Sequence, residues 1–65
     1  MKFNVQKFCV IMAEKGITLT ELSKLSKIDG GNLSRYKNGL REPSLKNIGK
    51  IAKVLEIEVG ELITS

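Results

Sequence analysis

Between Asp29 and Asn38 the chain spaces its polar and basic residues as one side of a helix. At about 100° per residue, Gly31, Ser34, Arg35 and Asn38 share a face, with Gly30, Asn32 and Lys37 flanking it. Leu33 and Tyr36 fall on the opposite side, with Ile28 leading in. The outward face is small, rich in donors and free of acid. Its chemistry is that of grasping phosphates or base edges, since an arginine can pair bidentately with guanine. The same face also suits plain solvent exposure, with Arg35 paired to Asp29 or Glu42. Bond-breaking chemistry has little to work with. The chain has no histidine, no set of metal ligands and no base to activate Ser34, and Gly30-Gly31 is too short for a phosphate-binding loop. The sequence predicts no enzyme, no cofactor and no metal.

The elements that hold this face follow from spacing. Phe3 to Lys15 has a helical stripe, Val5, Phe8, Cys9 and Met12, with Ile11 beside it. Asn4 fits its N-cap and Gly16 its left-handed stop. Thr18-Leu19-Thr20-Glu21 is a capping box opening a second helix through Leu22 and Leu25 to about Ser26. Lys27-Ile28 forms the turn, Asp29 caps the third helix, and Asn38-Gly39 ends it. After a loop through Pro43, Ser44 starts a fourth helix with Leu45, Ile48, Ile51, Ala52 and Leu55 on one face. A last short turn, roughly 58–63, offers Val59, Leu62 and Ile63. The expectation is an all-α fold of five short helices with no strand.

Sixty-five residues, about 42% of them hydrophobic, make one small domain, spanning 1–65, with a helix-turn-helix at 18–39. The lone Cys9 has no intrachain partner and reads as a small buried hydrophobe in a reducing compartment. The apolar run around it is too short for a membrane span, so a cytoplasmic protein is expected. Net charge is +4. Eight of the eleven basic residues lie between Lys24 and Lys53, and the last acids, Glu56, Glu58 and Glu61, stand without a base beside them. A basic centre with an acidic end gives a polyanion one face to meet and one to avoid.

At this point the chain resembles the Cro/repressor-type, lambda-repressor-like helix-turn-helix family. The residues that carry the resemblance are Gly16-Ile17-Thr18, Glu21-Leu22, Ile28, Leu33-Ser34-Arg35, Asn38-Gly39, Pro43-Ser44-Leu45, Ile51-Ala52-Lys53 and Glu61-Leu62. The resemblance implies a compact five-helix domain with the third helix in the major groove. It implies base readout from Gly30, Gly31, Ser34 and Arg35, and phosphate contacts near Thr18, Leu19, Asn38 and Arg41. It also implies a homodimer on a near-palindromic operator. Three positions depart from the pattern. Leu19 replaces a glutamine that anchors phosphate, Lys27 replaces the turn glycine, and Gly30-Gly31 stands where side chains reach bases. The glycines either admit the backbone close to DNA, shifting readout to Asn32, Ser34 and Arg35, or leave little sequence to be read.

The resulting expectation is a small transcriptional regulator of the repressor kind that binds double-stranded DNA, with no membrane and no small-molecule ligand as partner. Lys24, Lys27, Lys37 and Arg41, with Lys46, would neutralise phosphates. The alternative is a protein-interaction module, such as the antitoxin of a toxin–antitoxin pair. Leu40, Ile57 and Leu62, with Ile63, would then be the partner surface; they serve equally for a dimer, and Ile57, Leu62 and Ile63 read as readily as residues that close the core.

Overall fold

The computed structural model describes residues 2–64. Four α-helices, α1 (Val5–Lys15), α2 (Leu19–Ser26), α3 (Gly30–Lys37) and α4 (Leu45–Leu55), surround one core. A two-stranded ribbon, β1 (Lys2–Phe3) and β2 (Ile63–Thr64), closes it. The expected capping chemistry is in place. Asn4 accepts from the Lys7 N–H at 3.0 Å, Asp29 from that of Asn32 at 3.3 Å and Ser44 from that of Asn47 at 3.2 Å. Gly16 and Gly39 take the left-handed conformation, φ 64° and 72°, where a side chain would be strained.

The five-helix expectation needs correcting. In place of the fifth helix stands a single 3-10 turn, Val59–Leu62. Four residues suffice to swing Leu62 inward, and the β-branched pair Ile63-Thr64 then extends instead of continuing to coil. Phe3 pairs with Ile63 and Lys2 with Thr64, antiparallel, and the Asn4 N–H donates to the Leu62 carbonyl at 2.7 Å. The fold is therefore mostly helical, with a ribbon the sequence did not announce. Strands of two residues are too short to show alternation.

Helix α4 also ends unexpectedly, on Glu56 at φ 58°. The Ile57 N–H reaches back to the Ala52 carbonyl at 3.0 Å, closing the last turn in the manner that usually calls on glycine. Faces sort mostly as spacing predicts. Phe8, Ile11 and Met12 of α1 are buried, and so are Ile48, Ile51, Ala52 and Leu55 of α4. Three positions differ. Cys9 lies at the margin, half-exposed. Leu45 at the first turn of α4 is 59% exposed and Leu25 is 65% exposed, because each has rotated off its helix's core-facing side. Phe3 completes the core from the ribbon, its ring centroid 5.3 Å from that of Phe8 and 6.4 Å from that of Tyr36.

Candidate nucleic-acid interface

The turn between α2 and α3 decides how α3 is presented. Lys27 occupies it at φ 62°, ψ 27°, a left-handed conformation that costs a non-glycine residue about 1–2 kcal/mol. Several bonds hold it there. The Lys27 N–H donates to the Ser23 carbonyl at 2.9 Å. The Ser23 hydroxyl donates to the Ile28 carbonyl at 2.6 Å. Ser26 donates its hydroxyl to the Leu22 carbonyl at 2.6 Å and accepts the Ile28 N–H at 3.3 Å. Ile28, buried, plugs the turn into the core. Of the two ways a lysine could serve here, accepting strain or changing the turn, the chain takes the first. Sequence reasoning missed the two serines. Their signal was a pair of hydroxyls three apart in the last turn of a helix, a place where they bond back to the main chain.

Leu33 and Tyr36 anchor α3 from beneath. The Tyr36 hydroxyl accepts from Asn47 Nδ2 at 3.0 Å, which ties the end of α3 to the start of α4. Outward, Gly30, Gly31, Arg35, Lys37 and Asn38 are exposed, while Asn32 and Ser34 are half-buried. Arg35 Nη1 donates to Asn32 Oδ1 at 3.3 Å, and Asn38 Nδ2 lies 3.5 Å from Ser34 Oγ. The pair expected as the alternative, Arg35 with an acid, gives way to this neutral partner. A Cβ on Gly30 would sit 3.9 Å from its nearest neighbour, in ordinary contact. One on Gly31 would come to 2.9 Å from the capping carboxylate of Asp29.

Around this face stand the expected phosphate-binding residues. Lys24, Lys27, Lys37, Asn38 and Arg41 are exposed. Thr18 is exposed but engaged. Its hydroxyl accepts the Glu21 N–H at 3.1 Å and donates to Glu21 Oε1 at 3.1 Å, while the Thr18 N–H donates to the same oxygen at 3.0 Å. Leu19 is half-buried and packs against the core, so its side chain braces α2. The loop after α3 is also tied down. Glu42 accepts the Phe3 N–H of β1 and Pro43 is buried, an anchorage that no local pattern signalled.

The partner-surface set divides. Leu40 is 76% exposed, whereas Ile57 is half-buried against the core. Leu62 is 0% exposed and cannot be a docking residue, because the 3-10 turn aims it inward under β1. An open groove of about 430 Å³ runs beside the start of α2, lined by Phe8, Cys9, Met12, Ile17 and Leu19 with Lys37 at its edge. Among the described residues no group of three or more His, Cys, Asp or Glu is placed to hold a metal, and no helix is long and apolar enough to cross a membrane.

The capping box carries a pH dependence. The Thr18 backbone N–H, then its hydroxyl, then the charge of Lys24, hold the Glu21 carboxyl below its ordinary value. A depressed carboxylate contributes stability that is whole above the unfolded-state value and fades as pH falls through the lower folded one. The thermal midpoint of Glu21→Gln is therefore expected to lie below that of the parent at neutral pH and to converge with it in acid. A gap that persists unchanged in acid would show that the carboxylate's charge is not what the box uses.

Residues 7–65 match the family model of the Cro/C1-type HTH DNA-binding domain. The restriction-modification controller protein C.AhdI from Aeromonas hydrophila superposes with a TM-score of 0.86 at 34% identity, over 91% of this chain and 89% of that one. The clp gene regulator ClgR from Corynebacterium glutamicum gives 0.82 at 28% identity, over 88% and 61%. A chain of the SinR protein/SinI protein complex gives 0.86 at 27%, over 94% and 60%. The chain thus spans about three-fifths of the latter two. No curated protein matches it.

Proposed function

The chain belongs to the Cro/C1-type helix-turn-helix DNA-binding family, and from that premise we propose that residues 1–65 act as one sequence-specific duplex-binding domain of a transcriptional repressor. The observation that carries the reading is the outward face of α3: small at Gly30 and Gly31, armed with Arg35 and bordered by Lys27 and Lys37, with the Asp29 carboxylate engaged as the N-cap at its first turn. Seated in a major groove, that face brings Asn32, Ser34 and Arg35 to base edges, while Gly30 and Gly31 let the backbone approach. Thr18, Lys24, Lys27, Lys37, Asn38 and Arg41 meet phosphates on either side. Thr18 meets them only by yielding the donor it now gives Glu21. Two copies on a near-palindromic site would set their α3 helices about 34 Å apart, occluding the polymerase in the cytoplasm without any cofactor.

Neutralising four phosphates per copy with Lys24, Lys27, Lys37 and Arg41 makes the affinity of one copy fall roughly 10²-fold between about 50 and 200 mM salt. Gel shifts on a pool of random duplexes across that range test the proposal, and absence of any complex at the low end would sink it. An exposed Leu40 supports a second reading, a protein partner for this fold in the manner of an antitoxin. A chain that sediments as a monomer even on a selected palindrome would favour it over the dimer.

The glycines give a sharper test. Gly30→Ala has room in the folded protein and is expected to stabilise α3 by up to about 1 kcal/mol. If the backbone lies against DNA there, the same methyl weakens binding. Thermal unfolding and duplex affinity measured on one preparation should therefore move in opposite directions. A rise in both would mean that Gly30 does not approach the duplex.

A further inference from the structure

Resting on that reading of α3, we propose that Asp29 is a specificity-determining residue, whose carboxylate accepts from a cytosine amino group on the base pair beside the guanine that Arg35 reads. Gly31 brings the two side chains together. A Cβ there would lie 2.9 Å from Asp29 Oδ2 and 3.5 Å from Arg35 Nη1. Carboxylate and guanidinium therefore both come within 4 Å of one point, over a position that bears no side chain. Arg35 Nη1 turns to Asn32 Oδ1, at 3.3 Å, for its hydrogen bond. The guanidinium is thus placed beside the carboxylate while its remaining donors stay available to a base.

The carboxylate is only half used by the fold. Its Oδ2 accepts the Asn32 N–H at 3.3 Å and caps α3. Asp29 is exposed, and among the described residues nothing donates to Oδ1. A bare Gly31 gives the capping carboxylate its room on the outward side of the first turn, since a methyl at 2.9 Å would force it to move. Gly30 shows no such crowding, its nearest neighbour lying at 3.9 Å. The two glycines therefore differ in what they accommodate.

Base chemistry selects the partner. An anion carried into a groove walled by phosphates is unfavourable unless a donor meets it. In the major groove guanine and thymine present acceptors, which repel a carboxylate. Adenine sets its amino group beside the N7 acceptor, an arrangement that suits an amide. Cytosine presents its N4 amino group with no acceptor beside it, and a carboxylate suits that edge. Asp29 and Arg35 leave the main chain about 9 Å apart along the helix, and their tips converge over Gly31. Neighbouring base pairs, about 3.4 Å apart, match that convergence. The acid then works by rejection, penalising every other base at its position more than it strengthens the right one.

The test is selection of bound duplexes from a random pool by the full chain and by two variants that keep the cap. Asparagine and serine cap a helix about as well as aspartate, so thermal midpoints should stay near that of the parent. The wild type is expected to select cytosine on a base pair adjoining the guanine that Arg35→Ala releases. In Asp29→Asn the one amide oxygen serves the cap, which turns the amino group to the base and puts a donor where an acceptor stood. That variant is expected to abandon cytosine there for a base with an acceptor at its edge, a change of roughly 5- to 150-fold in relative affinity, and to bind random duplex more tightly. Asp29→Ser, whose hydroxyl serves the cap, is expected to lose the preference without acquiring another. The guanine should survive in both. An Asp29→Asn protein that selects the parent's site overturns the proposal and leaves Asp29 a cap alone. So does a wild type with no cytosine preference on either pair adjoining that guanine. Uniform weakening by both variants, with a fallen thermal midpoint, overturns it too, since the carboxylate would then serve only the fold. In these three results α3 still reads its site; a wild type that binds no duplex overturns the reading of α3 as well.

Discussion

Leu62→Ala is expected to unfold a large fraction of the molecules. The side chain is wholly buried, and truncating a buried leucine typically costs about 2–5 kcal/mol. A core of this size leaves a net stability of only about 3–5 kcal/mol, so one truncation consumes most of it. The loss also undercuts the ribbon, since the Leu62 carbonyl receives the Asn4 N–H. Leu40→Ser is the control. At a position so exposed the change should stay within about 0.5 kcal/mol. Denaturant melts of both variants decide the matter. A Leu62→Ala protein as stable as its parent would return Leu62 to the surface and contradict the inward-facing 3-10 turn.

Arg35→Ala is expected to erase preference at a single base position, with a loss of about 1–3 kcal/mol against the selected duplex. In the proposed reading Arg35 is the base-reading group of the outward face of α3, and Asn32 accepts a hydrogen bond from its guanidinium from one turn earlier. Its neighbours should behave differently. Neutralising Lys37 or Arg41 should weaken binding to all sequences alike and lower the salt slope by about 1 each. Selection of duplexes from a random pool with each variant separates the two behaviours. Uniform weakening by Arg35→Ala would reassign it to the phosphate backbone and shift base reading to Ser34 and Asn32.

The local features of this chain were legible because each rests on a few adjacent residues. The box from Thr18 to Glu21, the caps Asn4, Asp29 and Ser44, and the inward pair Leu33 and Tyr36 all stand as their spacing predicts. The outward set from Gly30 to Asn38 follows from the same periodicity. Features that depend on distant partners were not legible. Nothing near Glu42 announces that it will accept an N–H from Phe3, and nothing near Asn47 points to Tyr36. Leu62 stayed open between partner surface and core for the same reason, and its burial decides for the core. A terminal turn reads as surface until a strand from the other end of the chain is laid over it. Glu56 and Lys27 mislead differently, since neither is a residue type that ordinarily takes the left-handed conformation.

The ribbon joining residues 2–3 to 63–64 is a latch closed across almost the whole length of the chain. Contacts of such separation bear the largest loop-closure entropy in the molecule. Two residues per strand give little back beyond the burial of Phe3. Brief unfastening at the ribbon is thus the low-lying excursion of this fold, well short of melting the helices. Each such event frees Glu42 from Phe3 and leaves the buried Pro43 as the anchor of the segment that carries Arg41. The phosphate grip proposed for Arg41 then loosens with the latch, whose lifetime amide exchange at Phe3 and Asn4 would clock: exchange there as slow as in the helix interiors would mean that latch and helices open as one.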